Sequence, residues 1–386
     1  MLDLPSQTQS MRVALVYNQK KEDATQQLMT DEHDEPPDQS RGALSILKAN
    51  QQPSPQQISD RYAEWDTSET ISAVQRALAE RHDVSMIEAD ENAYERLRME
   101  RPEIVFNMSE GLYGISREAQ IPAILEFLQL PYTGSDPLTL ATCLDKSRTK
   151  EILSYYHIPT PAFYRITHLS ELAHNKVRFP SIVKPLHEGS SKGIFNSSIV
   201  RNTKELENEV MNILHRYDEP VLVEEYLGGR EFTVAMLGNG DDTVVLPIVE
   251  IKFDSLPNNV NPIYSYEAKW IWDTSDAPLD IFACPAELSP SLRHEIESIC
   301  RKAFSVLHCR DWCRIDVRLD ANGVPHILEL NPLPGILPNP EDNSCFPKAA
   351  RAAGIGYNQL IQIVLALAAG RNGLAATSPS SFRTTN

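Results

Sequence analysis

The feature that most constrains this chain is a run of alternating residues near its C-terminus, RIDVRLDANGVPHILELNPLPG, residues 314–335. Successive side chains on a strand point to opposite faces, so residues two apart share a face. Arg314 and Asp316 then lie on one face of one strand, and Glu329 and Asn331 on one face of the next. Ile315, Val317, Leu328 and Leu330 fill the other face. The DANG turn (320–323) pairs the two strands antiparallel and sets the polar groups side by side. Two carboxylates, an amide oxygen and a guanidinium share one surface, and hard oxygen ligands of this kind suit Mg²⁺. A solvated sheet face alternates in the same way, and this stretch alone does not choose between the two readings.

A chain of 386 residues allows two or three domains, and 41% hydrophobic with 23% charged residues is a globular composition. Its 36 Lys and Arg against 53 Asp and Glu give a net charge of −17, which argues against broad nucleic-acid or membrane-surface binding. A few local lysines can still dominate one phosphate site. The six cysteines (Cys143, Cys284, Cys300, Cys309, Cys313, Cys345) show no disulfide or zinc spacing and read as free thiols. The first ten residues are polar, with no signal-peptide pattern, and the apolar run LIQIVLALAA (360–369) is too short to span a bilayer. The expected compartment is a reducing cytoplasm.

Along the chain, MRVALVY (11–17) and PEIVFNM (102–108) read as buried strands. SETISAVQRALAERHDV (68–84) and REAQIPAILEFLQL (117–130) read as helices. This alternation predicts a parallel α/β domain over 11–140, interrupted by a polar insertion at about 18–66. A helix opening at Asp145-Lys146, then strands and one helix to about 227, form a small central unit, 141–227. A larger, mostly antiparallel unit follows over 228–370, and 371–386 is a tail.

Two further stretches carry chemistry. VKPLHEGSSKGI (183–194) is a strand ending in Lys184, followed by a small-residue loop whose backbone N–H groups could close on phosphate oxygens. It lacks the GxxxxGK[ST] pattern, and a surface turn is its bland alternative. VEEYLGGREFTV (223–234) places Glu224 and Glu231 beside apolar residues, where carboxylates can accept hydrogen bonds from ribose hydroxyls; edge charges are the bland alternative.

Taken together, LDKSRTK, IVKPLHEGSSKGI, VLVEEYLGGREFTV, YSYEAKW, RIDVRLD and ILELNPLPG occur in the order found in ATP-grasp enzymes. From about Leu130 to about Ala369 the chain resembles D-alanine–D-alanine ligases. The resemblance implies three domains, with a nucleotide held between the two C-terminal units. It implies that Lys146 and Lys184 contact ATP phosphates, that Glu224 and Glu231 serve the adenine and ribose side, and that Tyr226 and Leu227 form the linker of the adenine pocket. Ser190 would sit in the loop closing over the phosphates, and Lys269 on the loop covering the substrate. Asp316, Glu329 and Asn331 would bind magnesium, with Mn²⁺ as an alternative. Arg314 would hold the transferring phosphoryl group and the Gly335 N–H the tetrahedral intermediate. Ser344, beyond a four-residue insertion, matches a serine near the second substrate.

The departures lie at the amino-acid end. VYNQKKEDA stands where GGxSxE is usual, and NMSEGLYGISREAQ stands in place of a His-Gly pair near GEDG. Trp270 stands for the tyrosine after EAK, and NPLPG for NTxPG. The expectation is an ATP- and Mg-dependent carboxylate–amine ligase working through an acyl phosphate on small amino-acid substrates. Synthesis of D-alanyl-D-alanine, a peptidoglycan precursor, is the default. A ligase joining other amino acids or a small peptide is the alternative, and a catalytically silent ATP-binding module is an alternative of another class. The resemblance also suggests a homodimer formed through the N-terminal domain.

Overall fold

The computed structural model describes residues 10–20, 62–257, 259–272 and 279–374. Most of the expected insertion and the end of the tail lie outside the described residues. The ends of the insertion belong to the fold, which makes it narrower than expected. Lys20 N donates to Asp66 O at 2.7 Å and Asp66 N to Asn18 O at 3.2 Å, closing a parallel bridge between Gln19 and Asp66.

In the N-terminal unit, β1 (Arg12–Tyr17) runs between β2 (Asp83–Glu88) and β3 (Ile104–Met108), all parallel. The helix α1 (Ser68–Ala79) is capped by Thr67, whose hydroxyl accepts from Thr70 N, and it buries Ile71, Val74 and Leu78 at helical spacing. A second helix, α2 (Ala93–Glu100), packs Ala93 and Leu97 against Val16, Ile87 and Val105 of the sheet. The helix expected over 117–130 is shorter, α3 (Gln120–Phe127) behind one 3₁₀ turn. Pro122 lacks an N–H and fits only the first helical turn, which fixes the start.

Next come α4 (Pro137–Leu144) and α5 (Lys146–Tyr155), where Asp145 accepts from Ser147 N and Arg148 N to start α5 at the expected place. The central sheet has the order β4 (Phe163–Ile166), β7 (Val221–Glu225), β5 (Ser181–Pro185), β6 (Ile199–Val200), all antiparallel. It is backed by α6 (Thr203–Tyr217), whose Leu206, Val210 and Ile213 join Val183, Val221 and Val223 in one core.

The largest sheet has the order β11 (Phe282–Ala283), β10 (Val249–Ile251), β8 (Glu231–Gly238), β12 (Asp311–Leu319), β13 (Pro325–Asn331), with β9 (Val244–Val245) on β8. On one side it packs against α7 (Pro290–Val306), together with Leu153 and Ile158. On the other, α8 (Cys345–Ala352) and α9 (Tyr357–Arg371) share a core with β1, β3 and α1. All six cysteines are free. Among the described residues no single helix is long and apolar enough to cross a membrane.

One detail departs from strict alternation. Asp316 pairs with Glu329, but Val317 pairs with Ile327, so Leu328 is the extra residue of a β-bulge. Ile327 and Leu330 are buried in the core, while Leu328, expected on that apolar face, lines the cleft instead.

Candidate active site

The hairpin of β12 and β13 sets Arg314 opposite Asn331 and Asp316 opposite Glu329, on the same side of the sheet. Arg314 donates from Nε and Nη2 to the two oxygens of Asp316 at 3.2 and 3.0 Å, and Nη2 lies 3.8 Å from Glu329. Asn331 Nδ2 donates to Asp316 at 3.3 Å and to Glu329 at 3.5 Å. Burial raises the Glu329 pKa, but Lys146, Lys184 and Arg314 outweigh it and hold this carboxyl below its usual range. Asp316 goes the other way: burial and the neighbouring Glu329 raise it despite Arg314. Two carboxylates this close, one of them short of compensating charge, fit a divalent cation. A half-turn of the Asn331 amide presents its oxygen to the same ion.

The lysines arrive from other elements. Lys146 opens α5; its Nζ donates to Glu188 O at 2.6 Å and lies 3.7 Å from Glu329. Lys184 near the end of β5 lies 2.9 Å from Glu224 Oε2. One helical turn beyond Lys146, Lys150 is fully buried, 2.9 Å from Glu224 Oε1, and donates to Thr160 Oγ1 at 2.9 Å. Burial, helped by Lys184, pushes Lys150 down to about 8 against the pull of Glu224. Glu224 is therefore held between two ammonium groups behind the cleft wall.

The small-residue loop is tightly wound. Ser190 and Ser191 both have positive φ, 51° and 61°, an uncommon conformation for residues with a Cβ. It is tied to the Ala268–Trp272 π-helical turn and the segment before it. Trp270 Nε1 donates to Ser190 O at 3.0 Å, Ser191 Oγ to Tyr264 O at 2.9 Å, and Tyr266 N to Ile194 O at 2.7 Å. Lys269 projects from this turn into the cleft, where burial and Arg314 lower it to about 8.

These groups surround one cleft with two lobes of about 260 and 100 Å³. Lys184, Glu231, Asp316 and Ser344 line the larger lobe, Lys146 and Asn331 the smaller, and Ser190, Lys269, Arg314, Glu329 and Gly335 line both. The remaining expected residues stand behind this lining. Leu227 is buried, and Tyr226 OH accepts from Arg318 Nη2 at 3.1 Å. Arg318 also donates to Glu231 at 2.8 Å. Ser344 Oγ donates to Gly335 O at 3.3 Å and accepts from Leu337 N at 3.2 Å, so its hydroxyl braces the loop that carries Gly335.

The structure also brings in residues that the sequence reading did not single out. Lys150 could have been found, since it follows Lys146 by four and shares its helix face. Arg318 extends the Arg314, Asp316 alternation by one step. Glu64 and Asp66 fall in the stretch read as insertion, and Glu110, Arg117 and Glu118 in the divergent NMSEGLYGISREAQ segment; only tertiary packing places them in or beside the cleft.

The model of the D-ala D-ala ligase C-terminus matches residues 152–366, more than half of the chain. The chain belongs to the D-alanine–D-alanine ligase family. A Bordetella avium protein named D-alanine–D-alanine ligase is 36% identical over 266 residues, 68% of this chain and 77% of that one. An uncharacterized protein, y4sG, of Sinorhizobium fredii is 34% identical over 313 residues, 79% of this chain and 88% of that one. The crystal structure of D-alanine–D-alanine ligase from Bacillus anthracis complexed with ATP superimposes with a TM-score of 0.62 at 22% identity, covering 93% of this chain and 97% of that chain. That likeness establishes the ATP-grasp fold. As a member of the D-alanine–D-alanine ligase family, the chain is an ATP-dependent ligase.

Proposed function

We propose that this ligase activates an amino-acid carboxylate as an acyl phosphate and joins it to the amine of a second amino acid, as the name of its relatives implies for D-alanine. A carboxylate oxygen attacks the γ-phosphorus of ATP, the bond to the β-phosphate oxygen breaks, and ADP leaves. The amine nitrogen then attacks the acyl carbon, phosphate departs with the C–O bonding pair, and the nitrogen gives up its extra proton. The first step demands alignment and neutralised charge rather than covalent help from the protein. The observation that carries the reading is that Arg314, Asp316, Glu329 and Asn331 share one sheet face across a cleft from Lys146 and Lys184.

In this reading Lys146, Lys184 and Lys269 bind phosphates, and an arriving phosphate restores the full charge of Lys269. Arg314 follows the transferring phosphoryl group, and the Gly335 N–H faces the tetrahedral centre. Glu231 faces the ribose, while Glu224, Tyr226 and Leu227 shape the adenine end. Asp316, Glu329 and Asn331 would hold Mg²⁺, which supplies charge neutralisation and alignment of phosphate oxygens. The loop at Ser190, tied to Trp270, keeps water from the acyl phosphate. A silent ATP-binding module would have no use for Arg314 in this position.

The test is ADP release by purified protein with ATP, Mg²⁺ and D- and L-amino acids. Release should require both an amino acid and the metal, stop with EDTA and return with excess Mg²⁺. ATP binding without any amino-acid-dependent ADP release would contradict the ligase reading.

A further inference from the structure

The smaller lobe carries more carboxyl groups than a simple amino acid can partner. Across it from Lys269, Arg314 and Gly335 stand four carboxylates of the N-terminal unit: Glu64, Asp66, Glu110 and Glu118. Glu64 is satisfied, with Arg117 Nη2 2.9 Å from each of its oxygens and Gly189 N donating at 2.7 Å. The charge of Arg117 is further shared with Glu188 at 3.3 Å, which takes Lys192 at 2.6 Å. The side chains of Asp66, Glu110 and Glu118 have neither a hydrogen bond nor an ion pair among the described residues, although all three are partly buried. Burial, reinforced for Glu110 by the neighbouring carboxylates, raises Glu110 well above the carboxylate range, and burial carries Asp66 and Glu118 to about 7. Carboxylates drawn partly out of water without partners are costly, and a cation is the partner that removes the cost.

We propose that the carboxylate-donating substrate is an amino acid with a second cationic group, of the lysine, ornithine or diaminopropionate type, held by Asp66, Glu110 and Glu118 while its carboxylate points to Arg314. This rests on the ligase reading and deepens it. An α-amino acid without a charged side chain brings one ammonium group and leaves at least two of these carboxylates unmatched. A second cationic group at the far end of the substrate partners one more of them. Glu110 and Glu118 come from the stretch where the sequence departs from the family pattern.

The test compares the full-length protein with E110Q and E118Q in Mg²⁺- and ATP-dependent ADP release. The probes are D- and L-forms of alanine, serine, diaminopropionate, ornithine and lysine, and products are identified by mass. The proposal expects kcat/KM for at least one dicationic probe to exceed that for alanine at least tenfold. It expects E110Q or E118Q to cut that preference at least tenfold, mainly through KM. An ATP-induced rise in melting temperature verifies that each variant is folded. Alanine turned over as well as every dicationic probe overturns the proposal and leaves the ligase reading standing. The same holds if the variants shift the Mg²⁺ requirement equally for all probes, which assigns the carboxylates to metal. No ADP release with any amino acid overturns both.

Discussion

Arg314 is the side chain on which the chemistry should depend most. Its guanidinium is anchored by Asp316 and stays fully protonated, because neighbouring carboxylates outweigh its burial. Arg314→Ala should lower kcat by about 10²–10³-fold, the scale of one lost electrostatic donor, roughly 3 kcal/mol. Single-turnover ADP formation with the preferred amino acid measures it. A second residue-scale prediction concerns His187, whose Nδ1 lies 2.9 Å from Glu219 and whose Nε2 lies 3.6 Å from Asp145, the cap of α5. Burial lowers its pKa, but hydrogen bonds to Asp145 and Glu219 outweigh this and raise it. A raised folded-state value means that the imidazolium stabilises fully below the unfolded value of about 6.5 and ceases to do so as pH rises through the folded one. His187→Gln should therefore lower the melting temperature more at pH 6 than at pH 9. Equal losses at both would remove the charge from the account.

At the scale of elements, the small-residue loop is the piece most exposed to a single change. Gly193 has φ of +71°, and a Cβ there would collide with the Pro185 ring at the end of β5. Gly193→Ala should cost about 2–4 kcal/mol, combining a left-handed penalty with overpacking. Because the displaced loop carries Ser190 and Ser191, stabilisation by ATP should shrink as well. Thermal melts with and without ATP separate the two effects. The hairpin of β12 and β13 shows what a sequence can disclose about elements. The side-by-side placement of Asp316 and Glu329 is legible because period-two alternation and a tight turn leave one sensible register. The bulge at Leu328 is not legible, because a strand with one extra residue reads the same until its partner is known. Glu64 is hidden for a related reason: nothing local distinguishes it from the polar run around it, and its partners Arg117 and Gly189 lie 53 and 125 positions away.

At the scale of the molecule, the N-terminal unit is tied into the large sheet unit through α9. Gln362 is buried, with Nε2 donating to Ala77 O at 2.6 Å and Oε1 3.2 Å from His82 Nε2. Since His82 Nδ1 accepts from Met11 N at 3.3 Å, its Nε2 carries the proton and donates to Gln362. Burial pushes His82 below its ordinary pKa, which keeps it in this neutral form. Gln362→Ala strands these buried groups and should cost about 1–3 kcal/mol. Because Ile71, Val74 and Leu78 share one core with Leu360, Ile361 and Val364, calorimetry should show one transition moving down rather than two separating.

That shared core also sets an order of events during synthesis. The apolar face of α1 leaves the ribosome before the helix that covers it, which is made roughly 300 residues later. At about 5–20 residues per second the nascent chain carries that face open to solvent for roughly 15–60 s. Early-acting chaperones that grip hydrophobic segments have this interval in which to act, and the first hundred residues made alone should be recovered as aggregate rather than as a free domain.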